Sequence, residues 1–147
     1  MAFSTGEVAL VAEGPLFEGS NTLMGNYTPA LEAFLAGQDA TLADIQAVTL
    51  VGAVLRPAAD SVLANIGQIT LSMVGDAVGM QEVAVLNPVP AGAQLLELQV
   101  AADQQAIAAF FQQPAFTFVA DANLLQDQDA SLELTGSFDF LITLKSR

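Results

Sequence analysis

Ser131-Leu-Glu-Leu-Thr-Gly-Ser-Phe-Asp-Phe-Leu-Ile-Thr-Leu-Lys145 is the stretch whose reading decides the fold. Its even positions, Leu132, Leu134, Gly136, Phe138, Phe140, Ile142 and Leu144, are apolar or glycine, and the odd ones are polar except Leu141. Side chains on a β-strand point alternately to opposite faces, so the pattern sets one face on a core and the other in water. The stretch is longer than the usual strand of about 5–6 residues, so a bend or bulge near Gly136 is expected to let it serve two sheets.

Working outward, residues 115–122 form the preceding strand, with Phe116, Phe118 and Ala120 inward and Thr117, Val119 and Asp121 outward. Residues 123–129 then read as the loop of a hairpin. Upstream, Asp103 caps a helix over 104–113 that Pro114 stops; its stripe of Ile107, Phe110 and Phe111 is expected to close one end of the core. Residues 94–101 read as a strand with Leu96, Leu98 and Val100 on one face, and 87–92 (Asn-Pro-Val-Pro-Ala-Gly) as a break. Residues 68–74 and 80–86 form a hairpin, with Ile69, Leu71 and Met73 inward on the first arm and Val83 and Val85 on the second.

Near the start, residues 6–13 carry Val8, Leu10 and Ala12 on one strand face and end at Gly14-Pro15. Residues 18–25, rich in glycine, serine and asparagine, read as a loop. Thr28 as N-cap, Pro29 in the first helical position and Gly37 beyond the end predict a short helix that buries Leu31, Phe34 and Leu35. A local repeat follows: LADIQAVTL at 42–50 recurs as LANIGQITL at 63–71. Each copy follows a candidate cap, Thr41 with Asp44 and Asp60 or Ser61, and each reads as one helical turn leading into a strand, over 48–55 and 68–74. Seven strands with two or three short helices predict an all-β, antiparallel two-sheet β-sandwich in one domain, 1–147.

Composition removes whole classes of activity. Sixteen acidic residues against three basic ones give a net charge of −13, and with Arg56, Lys145 and Arg147 as the only cations the chain is a poor ligand for nucleic acid or anionic lipid. Such a charge would suit a salty medium. The longest apolar run, 47–55, falls well short of the ~18 residues of a spanning helix, and one tyrosine with no tryptophan cannot build the girdles of a membrane barrel. The first residues show neither the basic nor the apolar part of a signal peptide, although a secreted domain freed of its leader would look the same.

With no histidine and no cysteine, imidazole bases, thiol nucleophiles and the common zinc sites are absent. No phosphate-binding glycine loop is present. Carboxylate chemistry survives. Asp127, Asp129, Glu133 and Asp139 could supply a glycosidase pair, but the aromatic platform of a sugar site is missing. Asp127-Gln-Asp129 starts like an EF-hand loop, yet Leu132 and Phe138 stand where glycine and glutamate are required. A looser oxygen cage of Asp121, Asp127 and Asp129 at the mouth of the last hairpin is the candidate calcium site. Asn26-Tyr-Thr28 matches a glycosylation sequon, with Pro29 behind it.

Sheet proteins that stay monomeric commonly guard their edges with lysine, proline or inward charge, and here lysine is almost absent and the strand centres at 48–55 and 68–74 carry no charge, while 53% of the chain is hydrophobic. Loops within one chain could cover the edges instead. The expectation is a non-enzymatic structural, assembly or adhesive subunit that associates with itself, for which the first strand is a candidate for exchange. Its setting would be a cell surface, an extracellular appendage or a virion, with the cytoplasm not set aside. The alternative is a calcium- or glycan-binding module.

Overall fold

The computed structural model describes residues 2–29, 31–58, 61, 63–76, 78–101 and 107–145. Its elements are β1 (Ala2–Ala12), β2 (Gly19–Tyr27), α1 (Leu31–Ala36), a 3₁₀ turn (Leu42–Asp44), β3 (Ile45–Pro57), β4 (Ile66–Gly75), β5 (Gly79–Leu86), β6 (Leu96–Glu97), β7 (Gln99–Val100), α2 (Ile107–Phe110), β8 (Phe116–Leu124) and β9 (Leu132–Leu144). The fold is all-β. Its strands make one nine-stranded antiparallel sheet in the order β6-β3-β9-β1-β2-β8-β4-β5-β7, in place of the expected seven strands in two sheets.

The alternation in β9 is realised as read: Leu132, Leu134, Gly136, Phe138, Phe140 and Ile142 are buried, and Leu141 is exposed. The bulges, however, lie in its neighbours. The β1–β9 register shifts between Ser4 and Glu7, and the β3–β9 register between Leu50 and Gly52, so the flanking strands bend around β9. Gly136 serves packing instead. A Cβ there would collide with the Phe138 ring and come within 3.2 Å of Leu55.

Three further readings are corrected. The 18–25 segment lies largely in β2, paired with β8 from Gly19↔Leu124 to Tyr27↔Phe116. Its composition disfavours a strand, but Leu23 and Gly25 face the core, and such tertiary pairing overrides propensity. The 94–101 strand changes neighbour at Leu98: β6 pairs with β3, and β7 with β5. The Leu98 N–H reaches the Ala53 carbonyl (2.9 Å) and the Ala101 N–H the Val83 carbonyl (2.8 Å), so this one segment lies against both lateral strands and draws the sheet into a nearly closed barrel. Finally, the 80–86 arm carries a bulge at Val83, between the pairs Ser72↔Glu82 and Leu71↔Ala84. Val83 and Ala84 are therefore both buried, and Val85 turns outward.

β8 and β9 do not form a hairpin. β8 lies between β2 and β4, and β9 between β1 and β3. Strands β1 to β4, and again β8 and β9, thus alternate between opposite halves: β1, β3 and β9 lie in one, β2, β4 and β8 in the other, with β5 beside β4. The halves meet at one registered β1–β2 pair, Val11↔Met24. Gly25 makes that approach possible, because a Cβ there would strike the Ala9 carbonyl and come within 2.8 Å of Leu10.

The sequence repeat falls on corresponding places of the two halves. Leu42 and Leu63 offer their carbonyls to the N–H groups of Ile45 and Ile66. The carbonyls of Asp44 and Asn65 accept from Lys145 (2.7 Å) and Leu125 (2.8 Å), just beyond the ends of β9 and β8. Both copies then skip one residue of register, Gln46 against β9 and Gly67 against β8. β3 and β4 are not neighbours in the sheet, so the repeat is one way of starting a strand, used once in each half. The cap reading holds at Thr41, whose N–H donates to Asp44 Oδ2 at 2.9 Å. Asp60, and the helix start at Asp103 with residues 104–106, lie outside the described residues.

Candidate functional site

The barrel interior is filled. Phe118 meets Phe138 at 4.4 Å between ring centroids, Phe111 meets Phe140 at 4.9 Å and Phe116 at 5.3 Å, all from fully or almost fully buried side chains. Phe111 just beyond α2, and Phe34 on α1, sit against Phe3 and cover one end. The interior therefore packs as a core, and a site has to lie on the outer face or at the ends.

The acids singled out from the sequence are dispersed. Asp121 points outward from β8 and accepts the Ser20 hydroxyl. Asp127 Oδ1 accepts the Glu18 N–H at 2.8 Å and so ties the β8–β9 connection to the β1–β2 connection. Asp129 is exposed, with Gly14 packed on its backbone. Among the described residues no three acidic side chains are gathered as a metal would need, and these three are not brought together. The reason is topological: the expected hairpin mouth does not exist. Glu133 and Asp139 share the outer face of β9, but six residues at ~3.3 Å each put them about 20 Å apart, beyond the reach of a glycosidase pair.

The outer face carries an arrangement that was not read from the sequence. Register places Glu133, Val11, Met24, Val119, Ser72 and Glu82 in one rung across β9, β1, β2, β8, β4 and β5. Between the two terminal glutamates the rung is uncharged. Val119 and Ser72 are 7% and 5% exposed although they face away from the core, whereas Met24 stands 57% exposed. The neighbouring rungs are Thr22, Asp121, Thr70, Val85 and Asn26, Thr117, Val74, Met80, with Met80 65% exposed. Asp121 is their one charge. Met24 was hidden by reading 18–25 as a loop; the alternation of Thr22, Met24 and Asn26 against Leu23 and Gly25 was the available signal.

Edge protection follows from the same topology. Residues 96–101 lie along β3 and β5, so the lateral edges are partly covered from within the chain. No helix among the described residues is long and apolar enough to cross a membrane. No known protein family matches this chain, and none of the curated proteins compared with it is significantly similar.

Proposed function

We propose that the protein is a non-enzymatic assembly subunit that associates with further copies of itself through the outer face of β1, β2, β8 and β4. We read the nearly closed sheet as a flattened sandwich whose halves are the layers, a shape that leaves broad outer faces for neighbours. Exposure of Met24 in the uncharged middle of its rung, between Glu133 and Glu82 at the ends, carries the reading. At a net charge of −13, copies repel one another, so contact is least costly where the surface has fewest carboxylates. The acidity suits a salty medium, and the setting we favour is a cell surface, an appendage or a virion.

Light scattering over a wide concentration range, at low and high salt, tests this. Oligomers are expected to grow with concentration and with salt, and Met24→Glu to return them to monomer. A strict monomer at millimolar concentration in both salts, or oligomers indifferent to Met24→Glu, would overturn it.

A further inference from the structure

The end of the barrel opposite α1 and α2 holds a cleft of about 390 Å³ between the start of β4 and the 88–93 segment. Leu63, Ile66, Pro88, Val89, Pro90 and Leu125 line it, and none of the described residues that line it is charged. Its walls are held in place. The Val89 N–H donates to the Gly67 carbonyl at 2.9 Å. Asn65 clasps the β8–β9 connection, its amide nitrogen donating to the Gln126 carbonyl and to Gln128 Oε1, both at 2.9 Å, and its amide oxygen accepting from the Gln126 N–H at 3.0 Å. Leu125, 61% exposed, lies over Gly67, where an added Cβ would come within 2.9 Å of it.

The rim of this end is anionic. The described parts of the connections at this end, 13–18, 63–65, 87–95 and 125–131, contain no lysine or arginine, whereas Glu13, Glu18, Asp127 and Asp129 stand in them. Arg56 lies nearby on β3, beside Thr135. A second copy, itself at −13, is disfavoured here by like charge. An apolar cleft beside carboxylates that outnumber the nearby Arg56 cation fits a greasy anchor flanked by cations.

We propose that this cleft docks a basic polypeptide segment of a partner protein, seating one aliphatic or aromatic side chain between Leu63, Val89 and Leu125 while the acidic rim holds the flanking lysines or arginines. The site goes beyond self-association and uses a different surface, so either can fail without the other.

The test titrates the isotope-labelled full chain with the peptide Gly-Lys-Lys-Leu-Lys-Lys-Gly and follows amide shifts. Saturable shifts at Gly67, Val89 and Leu125 are expected, with affinity falling about tenfold or more between roughly 0.05 and 0.5 M salt. Leu125→Asp removes the anchor contact while adding attraction for lysine, and should weaken binding by about tenfold with the circular-dichroism spectrum unchanged. Asp127→Asn with Asp129→Asn keeps the acceptor for Glu18 and should flatten the salt dependence. No saturable shift, equal binding by Leu125→Asp, or equal binding of a peptide with alanine in place of leucine would overturn the proposal. So would salt-independent binding of hexanol in the cleft with no response to the peptide.

Discussion

Phe118 and Phe138 pack with ring centroids 4.4 Å apart and planes inclined at 31°, although β8 and β9 stand three places apart in the sheet. The contact crosses the interior and locks one half against the other. Replacing Phe138 by alanine would remove the ring from Phe118 and Gly136 together, leaving a cavity that strands on both sides cannot close. A loss of about 3–5 kcal/mol is expected, read as a lower denaturant midpoint.

Gly25 packs against the backbone of β1 at the thinnest seam of the barrel. Gly25→Ala is expected to destabilise the fold by about 1–3 kcal/mol, since the displaced atoms are main chain and cannot swing aside. Hydrogen exchange would locate the damage: amides of 9–12 should lose protection well before those of β3 and β9. Uniform loss would contradict the seam.

Tyr27 is the only tyrosine, and its partial burial beside Phe116 and Phe118 raises its pKa above the ordinary 10.0. With the folded value above the unfolded one, the folded state holds its proton longer as pH climbs. The stability this contributes is present below about pH 10 and is lost as alkali ionises first the unfolded and then the folded phenol. Absorbance near 295 nm should titrate late in the native protein, and Tyr27→Phe should blunt the alkaline loss of stability.

Among the described residues Asp121, Asp127 and Asp129 form no gathered trio, with Asp121 engaged by Ser20 and Asp127 by the Glu18 N–H. Millimolar calcium chloride is expected to raise the melting temperature no more than magnesium chloride at the same ionic strength. A rise specific to calcium and abolished by Asp129→Asn would establish a calcium site there.

The parts of the fold legible beforehand are those where alternation is strong, as from Leu132 to Ile142 or from Phe116 to Ala122, while the last two residues of β8, Asn123 and Leu124, read as loop. Pairing partners were not legible. Nothing in the connection at 125–131 distinguishes a hairpin loop from a crossing between halves, because either can be short, mostly polar and exposed. β2 was missed since its serine, asparagine and glycine are poor strand formers held by neighbours. The cleft was half visible: Pro88, Pro90 and Gly92 marked a break, but only the fold shows that Val89 is turned back onto Gly67. Asp121, Asp127 and Asp129 were correctly read as loop and outer-face acids, yet their grouping rested on a hairpin that does not form.

Dealing successive strands to opposite halves has a consequence for how the molecule is made. β9 lies between β3 and β1, and β8 between β2 and β4, so each triplet receives its central member only from the last third of the chain. Until the ribosome has released residues 116–144, the earlier ribbons, apart from the β4–β5 pair, have few partners, and their greasy sides, Leu10, Leu50 and Leu71 among them, stay in water. Nascent-chain lengths short of that point should be captured by chaperones and cleaved readily, with resistance appearing in a single late step.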